Sequence, residues 1–184
     1  MIWKIKDGQI EYGNRVLIMG IVNVTPDSFS DGGDNFDVQN AVSTIFKMID
    51  DGADIIDIGA QSTRPDHTPI SSDEEWARLG PVLSAVKGKV GVPISIDTYY
   101  PQVAEKSLKT GANIINDVSG VISPKMAEIV KFHGSGWVLM HNGSGTVDEV
   151  KNFFINSVDI CKSLGVNLSQ ICFDMGIGLS LIHI

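Results

Sequence analysis

The sequence predicts an α/β fold of the (β/α)8 barrel type, with about six of the eight βα units present and a short β-hairpin before them. Over the 184 residues, short apolar runs typical of parallel strands alternate six times with segments of helical periodicity. Two segments, Gly52–Gly59 and Gly111–Val118, share one pattern in which a glycine ends a helix and a strand follows. An open doubly wound sheet also fits the alternation, but it would want a G-x-G-x-x-G turn after the first strand, where this sequence has none. We therefore favour the barrel.

The individual elements can be placed in chain order. The amino-terminal hairpin is expected to turn at Asp7-Gly8. Val16–Val24 predicts a strand buried on both faces, because an apolar run ends abruptly in a polar loop. Ser71 predicts a helix cap, and Pro81 is expected to weaken the middle of that helix. Further strands are predicted at 54–58, 93–96, 112–115, 137–140 and 171–173, and helices at 38–51, 71–86, 101–110, 124–132 and 147–164.

Composition indicates a single domain, residues 1–184, with 43% hydrophobic and 20% charged residues. The net charge of -8 and the pI of about 4.8 oppose binding to nucleic acid or to an anionic membrane. Because charges interrupt the first residues, neither a signal peptide nor a membrane anchor is expected. Cys161 and Cys172 lack metal-ligand spacing and are expected to be buried thiols, which fits a reducing cytoplasm.

Polar residues mark the predicted ends of the strands. In a barrel the active site gathers at the carboxyl ends of the strands, around a single mouth. Any one of these residues could instead cap the following helix, as Asp97 could for the helix that Pro101 opens. Six together favour a shared site: Asn23, Asp57, Asp97, Asn116, His141 and Asp174.

The chemistry of these groups suggests a heterocyclic ligand. Asp97, Asn116 and Asp174 could each accept a hydrogen bond from a ring that carries adjacent N–H donors. Asn23 and the loop of Asp27 supply hard oxygen donors that could place Mg²⁺ with a substrate phosphate.

Two further sets of residues are expected at or near the predicted mouth. Thr63 and Arg64 follow the second strand, and Arg64 either binds an anionic group or pairs with the acidic segment 71–75. His67 and His141 have no nucleophile paired with them, so a catalytic triad has little support.

Two long segments resemble the signature segments of the dihydropteroate synthase family. They are Met19–Gly33, MGIVNVTPDSFSDGG, and Gly52–Pro65, GADIIDIGAQSTRP. Shorter motifs continue the similarity in family order at 94–98, 112–120, 138–141 and 174–178. The resemblance covers nearly the whole chain from Val16 to about Gly178, and spacing alone could not have named the substrates.

The resemblance implies a (β/α)8 transferase of folate biosynthesis, of the kind that sulfonamides inhibit. It would join 6-hydroxymethyl-7,8-dihydropterin diphosphate to 4-aminobenzoate, with Mg²⁺. Carried over by motif position, Asp97, Asn116 and Asp174 would hold the pterin ring, and Asn23 would serve the diphosphate and Mg²⁺. Loss of diphosphate would leave a cationic pterin methylene, which the negative field of Asp97 and Asp174 would favour and the aryl amine would attack.

The resemblance also assigns roles in two loops. Asp27 and Phe29 would belong to a mobile first loop that closes over the pterin. Thr63 would lie near the diphosphate, and Arg64 would take part in catalysis by ordering the aminobenzoate side.

This sequence departs from the family pattern in its last part. The family's Ser-Arg-Lys and Arg-x-His segments are not found, and the apolar residues 179–184 resemble nothing in the family. Gln61 stands where the family usually has Glu, and Asn142 where it often has Met. We expect an amino-terminal fragment or a truncated product that does not form the family's homodimer. A non-catalytic pterin-binding remnant and a methyltetrahydrofolate corrinoid methyltransferase-like barrel remain alternatives, although the two signature loops oppose the latter.

Overall fold

The computed structural model describes residues 1–24, 34–61, 69–143 and 145–177. In chain order, a two-stranded antiparallel hairpin precedes alternating parallel strands and helices. The hairpin strands are β1 (Ile2–Ile5) and β2 (Gly8–Glu11). The parallel strands are β3 (Met19–Asn23), β4 (Ile55–Gly59), β5 (Ile94–Asp97), β6 (Ile114–Asp117), β7 (Gly136–Met140) and β8 (Ile171–Asp174).

The strand order decides between the two predicted architectures. The six parallel strands lie side by side in the order β3-β4-β5-β6-β7-β8, which is their order along the chain. A doubly wound sheet reverses its strand order at a switch point, whereas a (β/α) barrel adds each strand to the same edge. The barrel-type fold is therefore confirmed.

The helix cap that the sequence predicts at Ser71 is present, and a second helix begins with a cap at Thr146. Ser71 accepts a hydrogen bond from the Glu74 N–H at the start of the second helix, and Thr146 forms a capping box with Glu149. No helix within the described ranges is long and apolar enough to cross a membrane. The helices are α1 (Asp34–Asp50), α2 (Ser72–Val86), α3 (Pro101–Thr110), α4 (Pro124–His133) and α5 (Val147–Ser163).

Helix α2 runs through Pro81, the residue expected to weaken it, without a break. Pro81 removes the donor for the Ala77 carbonyl, four residues earlier. Both residues are exposed, so water can hydrate that carbonyl.

The main core lies between the outward face of the sheet and the helices. Ile56, Ile58 and Ile96 project outward from β4 and β5, and Leu83 of α2 packs in the same buried cluster. Because side chains alternate along a strand, the intervening residues face the interior of the barrel. This arrangement reserves one face of each strand for packing and leaves the other for the interior.

The hairpin covers the amino-terminal end of the barrel. The barrel floor is the buried cluster Trp3, Ile5, Ile55, Ile114 and Val138. The Trp3 indole Nε1 donates to the Gln170 carbonyl at 2.7 Å, which satisfies its one polar atom. The hairpin turns at Lys6-Asp7 and not at Asp7-Gly8, since Ile5 pairs with Gly8 and Asp7 takes a positive φ of 63°.

The first parallel strand differs from its prediction. It begins at Met19 instead of Val16, which is 85% exposed, and Ile21 inside it is 60% exposed. Within the described part of the chain, β3 pairs on one side alone, with β4, and β8 forms the opposite edge of the sheet. The inward face of an edge strand lacks a neighbour, so the expectation of burial on both faces was wrong. Cys172 on β8 is exposed for the same reason, contrary to its expected burial.

We expect the barrel floor to contribute strongly to stability. Trp3→Ala should lower the free energy of unfolding by about 3–5 kcal/mol, because it opens a cavity at the floor. Trp3→Phe retains a ring but leaves the Gln170 carbonyl without its donor, and should cost about 1–2 kcal/mol. Chemical denaturation followed by far-UV circular dichroism measures both. Ile2→Ala, on the exposed face of β1, is the control; an equal loss there would contradict the role of the floor.

Candidate functional site

Four residues lie side by side where the parallel strands end. Asn23 of β3 pairs with Gly59 of β4, Gly59 pairs with Asp97 of β5, and Asp97 pairs with Asn116 of β6. Neighbouring strands lie about 4.8 Å apart, so the row spans roughly three such steps across the mouth. The sequence prediction that Asn23, Asp97 and Asn116 share one edge of the barrel is confirmed by this register.

Gly59 brings its two neighbours together. A Cβ placed on Gly59 would lie 3.3 Å from Asn23 Oδ1 and 3.4 Å from Asp97 Oδ2. The two side chains therefore converge over the inward face of Gly59. A Cβ here would touch both groups and a longer side chain would displace them, so the glycine leaves room for their convergence.

Asp57 lies one inward position below this row. It is in the middle of β4, level with Ser95 of β5, and not at the strand end as the sequence suggested. Its side chain is 4% exposed, and its Oδ2 accepts a hydrogen bond from Asn116 Nδ2 at 3.0 Å. Asp57 Oδ1 has no hydrogen-bond partner among the described residues. A buried carboxylate thus supports the amide in the row above it.

The site is strongly acidic. Burial, together with the nearby carboxylates of Asp57, Glu75 and Asp117, raises the pKa of Asp97 to about 8. Burial also raises the pKa of Asp57 and of Asp117, and raises that of Glu75 to about 7. None of these four carboxylates forms a salt bridge within the described ranges. The arrangement favours a ligand with N–H donors or positive charge, which would stabilise the ionised carboxylates.

Glu75 and Asp117 belong to this acidic group, although the sequence patterns did not identify them. Glu75 looked like an ordinary acidic residue in the first turn of α2, but it is buried. Its spacing carries the signal, since Leu79, Val82 and Val86 follow it on one face of the helix. Asp117 is the residue after Asn116, so it projects from the opposite face of β6, and its Oδ1 accepts from the Ser119 N–H at 3.0 Å.

Asp174 closes the other edge of the described sheet. It pairs with Met140, its carbonyl accepts from the His141 N–H at 2.8 Å, and its Oδ1 accepts from the Gly176 N–H at 2.8 Å. Asn116 pairs with Val138 of β7, and Val138 pairs with Cys172 of β8. Asp174 is the next inward-facing residue of β8 after Cys172, so it lies nearer the mouth than Asn116 does. The structure therefore places Asp174 at the mouth, two strands away from Asn116.

His141 follows β7 and packs its ring edge-on against Phe153 at 5.3 Å. Its Nδ1 is buried and has no hydrogen-bond partner among the described residues. Among the described residues, no hydrogen bond pairs His141 with a nucleophile.

Other predicted residues fall outside the described residues. Asp27, Phe29, Thr63, Arg64 and His67 all do so, and their predicted roles stay predictions. The structure also shows that Asp97 does not cap α3, because Tyr100 is the N-cap residue.

The two ends of the second loop are described and are held together. Gln61 Oε1 accepts from the Ile70 N–H at 3.1 Å, and Gln61 Nε2 donates to the Tyr99 hydroxyl at 2.7 Å. The Tyr100 hydroxyl donates to the Ile70 carbonyl at 2.7 Å. Residues 61 and 70 are therefore fixed to the segment that directly follows Asp97.

A family model and curated proteins that match this chain point to the same family. The model of the family described as pterin binding enzyme matches residues 19–183. The dihydropteroate synthase of Bacillus subtilis is 49% identical over 138 residues, which are 74% of this chain and 48% of that protein. The dihydropteroate synthase of Clostridium beijerinckii is 46% identical over 150 residues, 81% of this chain and 55% of that protein. The chain thus spans about half the length of these curated relatives.

Solved structures agree with the curated relatives. The Clostridium difficile dihydropteroate synthase, crystallised in the presence of pteroic acid, matches with a TM-score of 0.86 and 44% identity, over 92% of this chain and 67% of that one. The Xanthomonas albilineans enzyme with 4-aminobenzoic acid matches with a TM-score of 0.84 and 35% identity, over 90% of this chain and 63% of that one. The chain belongs to the pterin-binding enzyme family, and the relatives it resembles there are dihydropteroate synthases.

Proposed function

We propose that the protein joins 6-hydroxymethyl-7,8-dihydropterin diphosphate to 4-aminobenzoate, forming dihydropteroate and diphosphate. The observation that carries the proposal is the row Asn23, Gly59, Asp97 and Asn116, with its buried acidic support. The row presents amide and carboxylate oxygens to a ring edge. Such a set of acceptors suits the adjacent N–H donors of a pterin.

Asp97, Asn116 and Asp174 would hold the pterin ring. Asp97 is the central group, because its carboxylate is buried and surrounded by other carboxylates. An N–H donor of the ring would favour the ionised form of Asp97 and offset the cost of its burial. The same negative groups are suited to the reaction that follows.

The reaction would proceed through a cationic pterin methylene. The bond from this carbon to the diphosphate oxygen breaks, and its electron pair leaves with the diphosphate. The lone pair of the aryl amine then forms the new C–N bond, and the amine loses a proton. Asp97 and Asp174 would stabilise the positive charge as it develops, so no covalent enzyme intermediate is required.

Asn23 fits a role at Mg²⁺. Its Oδ1 is a hard oxygen donor at the mouth, close to Asp97, and no cluster of three or more acidic, His or Cys ligands occurs in the described ranges. Mg²⁺ needs few protein ligands when a substrate phosphate supplies others, so the donor set fits a metal bound together with diphosphate. When bound there, Mg²⁺ would neutralise charge on the departing diphosphate.

The remaining roles rest on the family resemblance. Thr63 would lie near the diphosphate, Arg64 would order the aminobenzoate side, and Asp27 and Phe29 would close over the pterin. We also propose a cytoplasmic location, which is supported by the two free cysteines, Cys161 and Cys172.

Formation of dihydropteroate is the direct test of the proposed function. The 184-residue chain is assayed alone and as an extended chain, which continues with the part of the Bacillus subtilis relative that follows the matched segment. With both substrates and Mg²⁺, we expect turnover by the extended chain and pterin binding with little turnover by the shorter one. An extended chain that is folded by circular dichroism, yet neither binds pterin nor turns over, would overturn the proposal.

Asp97→Asn should weaken pterin binding and stabilise the protein. Loss of a charged acceptor should raise the Kd for 6-hydroxymethylpterin about 10–100-fold. The folded pKa of about 8 lies above the unfolded value of about 3.9, so wild-type stability falls as pH rises between them. The variant lacks this fall, so its melting temperature should exceed that of wild type at pH 9 by about 2–4 °C or more, but not at pH 4.

The control for this variant is Asp73→Asn, which changes an exposed carboxylate on α2. It should leave the Kd and both melting temperatures within error of wild type. Unchanged pterin affinity in Asp97→Asn would remove Asp97 from the site.

Asn23→Ala should weaken binding of the diphosphate group without weakening binding of the pterin ring. If Asn23 serves Mg²⁺ and diphosphate, the variant binds 6-hydroxymethylpterin within about twofold of wild type but loses about tenfold or more in affinity for the diphosphate ester with Mg²⁺. Isothermal titration with and without Mg²⁺ measures the difference. Equal losses for the two ligands would assign Asn23 to the ring instead.

A further inference from the structure

Asp57 is a buried carboxylate that the proposed reaction does not use. It lies below the row at the mouth, and its Oδ2 accepts from Asn116 Nδ2 at 3.0 Å. Both of its oxygens are enclosed by the barrel, since the side chain is 4% exposed and Oδ1 is shielded from solvent. A ligand in the mouth can therefore reach Asn116 without touching Asp57.

The contact decides which way the Asn116 amide faces. In the structure Asp57 accepts from the NH₂ end of the Asn116 amide, and the ionised form of Asp57 can only accept, so it selects that end. The carbonyl oxygen of Asn116, at the other end of the planar amide, then faces away from Asp57. Without Asp57, the amide could rotate by half a turn and present NH₂ to the mouth at little cost.

We propose that Asp57 is a positioning residue that makes Asn116 an obligate hydrogen-bond acceptor, and so sets the preference of the site for a ring edge of N–H donors. The proposal rests on the proposed function, because it concerns the pterin site. A pterin carries a 2-amino group on this edge, whereas the corresponding lumazine carries a carbonyl at the same position. An acceptor discriminates between these two rings, and an amide that is free to turn does not.

Asp117 offers a matched control. Like Asp57, it is a buried aspartate whose charge raises the pKa of Asp97. It lies on the opposite face of β6, and its Oδ1 accepts from the Ser119 N–H and not from Asn116. Asp57→Asn and Asp117→Asn therefore each remove one buried charge near Asp97, but only the first changes the partner of Asn116.

The test compares the Kd of 6-hydroxymethylpterin with that of 6-hydroxymethyllumazine by titration calorimetry, for the 184-residue chain and for the extended chain. In the wild type we expect a preference for the pterin of about tenfold or more. Asp57→Asn is isosteric, but its amide can either accept or donate, so the preference should fall about fivefold or more. Asp117→Asn should keep the wild-type preference. In an Asn116→Ala background, Asp57→Asn should cause no further change, because Asp57 acts through Asn116.

The outcomes are distinct. An unchanged preference in Asp57→Asn, in a protein whose wild type binds pterin, overturns the positioning role alone. An equal fall in Asp117→Asn also overturns it, since charge and not amide orientation would then set the preference. If the folded wild type binds neither ring, the proposed function and the positioning role fail together.

Discussion

Burial of carboxylates at one end of the barrel is the constraint on which the rest of the site depends. Asp57, Glu75 and Asp117 lie within electrostatic reach of Asp97, and none of the four has a salt-bridge partner in the described ranges. Removing carboxylates from water without a cation is costly, so the folded protein keeps protons on some of them. A ligand that donates hydrogen bonds here would favour the ionised carboxylates, and its binding would then be coupled to proton release.

The register of the parallel strands fixes the positions of these groups. Strict register along β3, β4, β5 and β6 brings the ends of four strands into one row, and the absent side chain of Gly59 leaves room for two of the groups to converge. The outward faces of the same strands pack against helices in the main core. Asp57, Asp97 and Asp117 are thus held by strands that pack against the helices, and this packing keeps the acidic groups in place.

The sequence predicted the fold class and part of the site well. The alternation of apolar strands with helical segments indicated the barrel, and polar strand ends identified Asn23, Asp97 and Asn116. It placed Asp57 too near the mouth, because strand boundaries depend on backbone pairing that no local pattern reports. It also took Glu75 for a solvated helix end, since the first turn of a helix favours acidic residues whether they are buried or not.

The exposure of β3, which the sequence did not predict, has a different cause from the errors at Asp57 and Glu75. Ile21 belongs to an apolar run that predicts burial on both faces, but burial of its inward face requires a neighbouring strand beyond β3. The apolar run of β3 is the pattern expected for a strand with neighbours on both sides, and such a run does not report whether both neighbours are present. Cys172 on β8, at the opposite edge of the described sheet, departs from its expected burial in the same way.

The hydrogen bond from Trp3 to the Gln170 carbonyl joins residues that are 167 positions apart in the chain. Contacts of such long sequence separation form late, because the closure entropy of the intervening chain must first be offset by other packing. During synthesis the hairpin leaves the ribosome before the parallel strands that it packs against, and it is among the last elements to reach its final position. Until β7 and β8 are in place, its apolar face has only part of its partner surface, so the nascent chain must keep Trp3 and Ile5 from associating with other molecules.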